Sequence, residues 1–231
     1  MLIPANTKNW DAHVSQAEIV ARSPGFQHLR DRIIDLTEIQ PDDCVVDVGA
    51  GTGLLSLESA RRGARVWAVD ISPSMCEYLR AKARSGGHQI EVAVGSAVSL
   101  PIVDGFADAV VSNYCFHHLD DAGKLQALAE ARRVLRPGGR LVFGDMMFTL
   151  DPRDPRDRAV VEAKVRAMLR KGPAGAVRLA RNGLRVATGR WESPVRASWW
   201  QQAMLDAHFD DVSVRVLEHE GGLAHARRPG V

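Results

Sequence analysis

Short apolar runs alternate along this chain with stretches of helical spacing. Cys44–Val48 is almost wholly β-branched and apolar, which reads as a strand buried on both faces. Similar runs at Val66–Val69, Ile90–Val94, Ala109–Ser112 and Arg140–Gly144 predict four more strands. Between them the period lengthens. Leu54–Arg62 reads as a helix ended by Gly63. Ser72 and Pro73 read as the cap and first residue of a helix that runs to about Arg84 and stops at Gly86-Gly87. Asp120 or Asp121 caps a helix carrying Leu125, Leu128 and Leu135. Ahead of the strands, residues 1–40 are helical, with Leu29, Ile33, Ile34 and Leu36 as the apolar stripe and Pro41 as the break. A βαβαβ series of this kind predicts an α/β protein with a doubly wound, mostly parallel sheet.

The period changes after Asp145. The charged turn Asp151–Asp157 leads into a helix from about Arg158 to Arg170, with Val161, Val165, Met168 and Leu169 on one face, ended by Lys171-Gly172-Pro173. A shorter helix fits Ala176–Val186. Ser198–His208 reads as the last helix, and Val212–Leu217 and Leu223–Arg227 as the final two strands, seven in all. The expected organisation is one domain over 1–231. Residues 1–40 form a helical N-terminal segment, 41–145 a ligand-binding half, 151–190 a helical insertion, and 195–231 the last helix and strands. No internal repeat or low-complexity tract interrupts it.

The first strand ends in chemistry. Val45-Val46-Asp47-Val48-Gly49-Ala50-Gly51-Thr52-Gly53 places an acid at the strand end, then a glycine turn that lets a ligand approach the backbone. The helix that follows offers its N-terminal amides. The second strand ends in Asp70, nineteen positions beyond Gly51, where a carboxylate can accept from ribose hydroxyls. A dinucleotide or S-adenosylmethionine fits such an acid. The dinucleotide fingerprint needs a third glycine where this chain has Leu54. Asp47 to Gly53 and Ala68-Val69-Asp70-Ile71-Ser72-Pro73 instead resemble the class I S-adenosylmethionine-dependent methyltransferases. Phe106–Asn113 resembles that family's fourth strand, and Arg133-Val134-Leu135-Arg136-Pro137-Gly138-Gly139-Arg140-Leu141-Val142 its helix, turn and fifth strand. His117-His118-Leu119 is similar to the small bacterial subgroup related to quinone-biosynthesis methyltransferases (methyltransferase type 11).

The resemblance implies a cofactor, S-adenosylmethionine, with S-adenosylhomocysteine as product, and roles for particular residues. Asp47 would hold the methionine ammonium. The backbone at Gly49, Ala50, Gly51 and Gly53 would pack against the methionine and ribose portions. Asp70 would accept from the ribose hydroxyls and Ile71 would lie on the adenine. Asn113 would border the methionine portion. Where the family often has an acid near the adenine amino group, this chain has Ser96-Ala97, so adenine recognition there leans on a hydroxyl and backbone groups.

His117 is the candidate catalytic base, since imidazole can take a substrate proton near neutral pH; the competing reading is packing under the cofactor. Trp10, Tyr114, His118, Met147 and Phe148 are candidate acceptor-pocket residues. Met146, Trp191, Trp199 and Trp200 are weaker candidates, because tryptophans on a helix more often pack in a core. Lys8, Asn9, Trp10 and His13 lie in a segment that lids the site in relatives.

Composition narrows the function classes. A formal charge of +2 with 25% charged residues gives no strong pull toward nucleic acid or anionic membrane. The arginines at 153, 156 and 158 and at 178, 181 and 185 read as solvated faces, with an acidic small substrate allowed. Cys44, Cys76 and Cys115 form no C-x-x-C pair, and no acid cluster flanks the site in sequence, so no metal is expected. No run reaches membrane-spanning length and no leader is evident, which places the protein in the cytoplasm by default. A small-molecule acceptor is the expected partner, and a homodimer is compatible with the sequence. The expected activity is methyl transfer. The rivals are a relative that binds the cofactor without methylating, a nicotinamide oxidoreductase, and an RNA methyltransferase.

Overall fold

The computed structural model describes residues 9–188, 192–218 and 220–230. A seven-stranded sheet runs in the order β3-β2-β1-β4-β5-β7-β6. The strands are β1 (Cys44–Val48), β2 (Arg65–Asp70), β3 (Ile90–Val94), β4 (Ala107–Asn113), β5 (Leu135–Met146), β6 (Asp210–Val216) and β7 (Gly221–Arg227). The first five are parallel, and β7 is antiparallel to both of its neighbours. Helices α1 (Val14–Ala21), α2 (Pro24–Thr37), α3 (Leu54–Arg61), α4 (Pro73–Ser85), α5 (Asp121–Val134), α6 (Pro155–Leu169), α7 (Gly172–Ala187) and α8 (Ala197–Asp206) complete the layers. None is long and apolar enough to cross a membrane.

The central strands β1 and β4 are largely apolar because both faces are covered, whereas the edge strands β3 and β6 bury no residue fully. On one face Val45, Ala109, Val111 and Val142 pack under Leu29, Ile33 and Ile34 of α2 and Leu55 of α3. On the other, Val46, Val48, Val110, Leu141 and Phe143 meet Leu128 of α5 and Trp200 and Met204 of α8. This alternation positions the chemistry. Asp47 shares the face of Val45, and Asn113 shares that of Ala109 and Val111. Both emerge at the carboxyl ends of β1 and β4, where the strand order reverses. Doubly wound sheets open their ligand crevice at that point.

The caps expected at Ser72 and Asp120 form: Ser72 Oγ accepts from the Met75 amide at 3.1 Å, and Asp120 Oδ1 from the Gly123 amide at 2.8 Å. Several expectations are corrected. Leu36 is 42% exposed, and Thr37 is buried in its place, its hydroxyl donating to the Ile33 carbonyl. Leu125 is exposed, and Leu135 is the first residue of β5 rather than part of α5. Leu135 already pairs with Ala107, so the Pro-Gly-Gly segment is an irregularity inside a long strand, not a turn before a short one. In α6 the buried residues are Asp157 and Val160, whereas Val161 and Leu169 face solvent. Asp157 is drawn inward because its carboxylate accepts from the Thr149 hydroxyl and from the amides of Thr149 and Asp151.

Candidate functional site

The glycine turn is fastened to β2. The amides of Gly49 and Ala50 both donate to the Val69 carbonyl, at 2.8 and 3.1 Å. Gly49 adopts φ +70, and a side chain there would strike Cys115. Gly51 adopts φ +51 and has nothing within 4 Å of where a Cβ would stand, so the turn presents bare backbone on its open side. Asp70 grips the turn from β2: its carboxylate accepts from the Gly51 amide at 2.8 Å and the Ser72 amide at 2.9 Å. Each oxygen keeps a second lone pair. Gly95 donates to the Asp70 carbonyl at 2.9 Å, which brings Ser96 and Ala97 alongside. Ile71, beside Asp70, is 47% exposed.

Asp47 is sealed from solvent, and Ser56 Oγ of α3 donates to it at 2.5 Å. Burial pushes its carboxyl up to about 7, against the opposing pull of the Ser56 bonds. A cationic group arriving there would restore its charge. Asn113 Oδ1 is buried with no hydrogen-bond partner. An orphaned oxygen, an under-paired buried carboxylate, a bare glycine turn and an exposed isoleucine stand at the carboxyl ends of the neighbouring strands β1, β2 and β4. They fit a ligand with a cationic end, vicinal hydroxyls and a flat apolar ring.

Beyond Asn113 the chain turns sharply. Tyr114 takes φ +55, in the left-handed region, and its amide donates to the Gly144 carbonyl at 2.8 Å. Burial drives the Tyr114 phenol far above its ordinary range, so it stays protonated. A 3-10 turn over Phe116–His118 follows. His117 is buried, and its Nδ1 lies 2.5 Å from Asp145 Oδ1. Asp145 Oδ2 also accepts the His117 amide at 3.0 Å. A carboxylate only accepts, so Nδ1 carries a proton. Nε2 lies 3.9 Å from Glu192 Oε2, and His118 Nδ1 stands 3.9 Å from Glu192 Oε1. The Ser193 amide donates to the His117 carbonyl at 2.8 Å, tying the segment before α8 to this turn.

The N-terminal segment touches both α4 and the turn after β4. Asp11 accepts from Ser72 Oγ at 2.5 Å and from the Ser74 amide at 3.0 Å, at the start of α4. The neighbouring Trp10 ring packs edge-on against His118 with centroids 4.5 Å apart. One residue thus touches the Asp70 side and the next the His117 side.

The sequence-predicted residues at positions 47, 49–51, 53, 70, 71, 96, 97 and 113 lie at or just past the carboxyl ends of β1, β2, β3 and β4. Trp10, Tyr114, His117 and His118 form a second group beside them. Met147 belongs to neither. It is fully buried in the main core against Gly222 of β7, so its side chain packs rather than lines. Phe148 is buried with Met146 and Val160, and Tyr114 packs against this cluster. Trp200 lies in the core against Phe116 and Phe143, and Trp199 packs beside Lys124. Trp191 and Lys8 lie outside the described residues. Sequence reasoning missed Asp145, Glu192 and Asp11. Asp145 carried a signal, since it is a third acid ending an apolar strand; Glu192 and Asp11 carried none.

Residues 45–139 match a family model described as a methyltransferase domain. An uncharacterized methyltransferase of Oceanobacillus iheyensis is 34% identical over 53% of this chain and 55% of its own length. The demethylmenaquinone methyltransferase of Thermus thermophilus is 38% identical over 49% of this chain and 51% of its own. The chain therefore spans little more than half of these curated relatives. Among solved structures, phosphoethanolamine N-methyltransferase 2 of Haemonchus contortus, in complex with S-adenosyl-L-methionine, superposes with a TM-score of 0.72 at 14% identity. The match covers 95% of this chain and 57% of that one.

Proposed function

We propose that this chain, whose residues 45–139 match a methyltransferase domain, is a class I S-adenosylmethionine-dependent methyltransferase that transfers the cofactor's methyl group to a small-molecule acceptor by in-line displacement. When bound, the cofactor supplies an activated methyl group on a positive sulfur, so the protein's work is binding, alignment and exclusion of water. The observation that carries the reading is the buried, unpartnered Asn113 Oδ1, set on the same sheet face as the under-paired Asp47 at the strand-order reversal.

In this reading Asp47 holds a cationic ammonium against its buried carboxylate, and Asn113 Oδ1 accepts from the same portion of the ligand. The open side of Gly51 takes the ligand's backbone-hugging part, while the spare lone pairs of Asp70 accept from two adjacent hydroxyls. Ile71 covers one face of the adenine, and Ser96 and Ala97 border its edge. His117 takes the acceptor's proton at Nε2. Asp145 holds the imidazole in the tautomer that leaves this nitrogen open. Trp10, Tyr114 and His118 wall the acceptor side and keep water out.

The test is incubation with methyl-labelled cofactor and a small-molecule extract, followed by fractionation. Label in a small-molecule product supports the reading. Cofactor binding without any labelled product supports a relative that has kept the cofactor and lost methyl transfer. Label in RNA or protein would move the acceptor to another class.

A further inference from the structure

The overall charge of +2 conceals a local excess. Residues 163–188 hold seven lysines and arginines and no acid. They span most of α6, the Arg170-Lys171 link and all of α7. Lys164 pairs with Glu220 at 2.7 Å. Among the described residues, Arg166, Arg170, Lys171, Arg178 and Arg181 have no acidic partner, and all five are exposed.

Helix α7 is two-sided. Gly175 is buried against α6, where a side chain would strike the Met168 carbonyl. The opposite side faces outward. Val177 and Leu184 stand two turns apart on it, with Ala180 between them, and they are 61% and 65% exposed. Arg178, Arg181 and Arg185 run along the flank of that stripe at the same helical spacing. Valine and leucine held in water beside a row of arginines are the pattern of a helix that lies at a boundary between water and an apolar phase. The pair of helices stands on the end of the sheet that carries the glycine turn. Arg156 of α6 donates there to the carbonyls of Met147 and Gly221, at 2.6 and 3.1 Å.

Charge and polarity choose between occupants. A second copy docking through the same stripe would set arginines against arginines. Nucleic acid would use the cations, but α6 and α7 contain no aromatic side chain to stack on a base, and the apolar stripe would stay wet. A bilayer with anionic headgroups uses both features, because the stripe enters the acyl boundary while the arginines meet the phosphates.

We propose that α7 docks this protein on an anionic lipid membrane surface, with Val177, Ala180 and Leu184 entering the bilayer and Arg178 and Arg181 on the headgroups beside them. No helix among the described residues is long and apolar enough to cross a membrane, so the contact is peripheral and reversible. The cations of α6 and of the link add attraction over about a Debye length, which salt screens.

The test is flotation of the whole protein with vesicles of phosphatidylcholine alone and of phosphatidylcholine with about one third phosphatidylglycerol. The expected result is binding to the anionic vesicles about tenfold or more tighter than to the neutral ones, lost at high salt. Leu184→Asp and, separately, Arg178→Ala with Arg181→Ala should each weaken it about tenfold or more. Their Tm should stay near wild type, because these side chains are exposed. Failure to float with anionic vesicles, equal binding to both vesicle types, or unaltered binding in both variants would overturn the proposal. A mobility shift of polyuridylate without flotation would overturn it in favour of nucleic acid. A dimer in sedimentation equilibrium that Leu184→Asp dissolves, again without flotation, would overturn it in favour of a second copy.

Discussion

His117 and Asp145 meet twice: the ring Nδ1 lies 2.5 Å from Oδ1, and the His117 amide donates to Oδ2 at 3.0 Å. One carboxylate at the end of β5 therefore fixes both the backbone and the ring of a residue just past β4. Asp145→Asn puts an NH2 donor where the ring needs an acceptor, and the other tautomer becomes favoured. The expected outcome is a fall in kcat on the order of 10²-fold, with the cofactor KM nearly unchanged. Steady-state kinetics read the split between the two constants, and imidazole nitrogen shifts report the tautomer. A parallel loss in cofactor KM would mark Asp145 as merely structural.

Asp47 predicts a pH dependence of binding. Its carboxyl is neutral in the ligand-free protein below about 7 and must ionise to meet an ammonium. S-adenosylhomocysteine affinity should therefore drop, approaching about tenfold per pH unit below that point. Calorimetry in buffers of different ionisation enthalpy should also register proton release. The sign for stability is opposite. Between 3.8 and about 7 the folded protein holds a proton that the unfolded chain has lost, so the Asp47 contribution declines as pH rises through that window. Asp47→Asn should flatten both dependences.

The glycines of the turn separate stability from binding. Gly49→Ala forces a side chain into Cys115 at φ +70 and should cost about 1–3 kcal/mol of stability, read as a lowered Tm. Gly51→Ala meets no neighbour, so its stability loss should be smaller. Its methyl group projects into the open side of the turn, and the larger effect should fall on S-adenosylhomocysteine affinity.

The bonds from Asp11 to Ser72 and Ser74 clamp the N-terminal segment over α4. Asp11→Ala should free that segment without unfolding the sheet. Limited proteolysis should then cut sooner within α1, and Trp10 fluorescence should become easier to quench, while the Tm for global unfolding stays close to wild type.

Much of this was legible in the chain because the central strands are covered on both faces. Near-continuous apolar runs placed β1, β2, β4 and β5, alternation placed β3, and the acids closing β1 and β2 fell beside the glycine turn. Where a neighbour decides, the pattern misled. Leu36 fits the helical stripe of α2 but points outward, because the stripe turns by one position and ends at Thr37. Met147 follows a strand on the ligand side, yet Gly222 across the antiparallel pair leaves room that only a core side chain fills. Glu192 sits far from His117 in sequence and meets it through the Ser193 backbone bond, a tertiary contact with no local signature.

The most direct test of the account is calorimetric titration of S-adenosylhomocysteine into the wild-type protein and into Asp70→Ala. The account predicts one site per chain in the wild type, weakened by about 1–3 kcal/mol when the acceptor for the ribose hydroxyls is removed. No binding to the wild type, or equal binding to both, would contradict it.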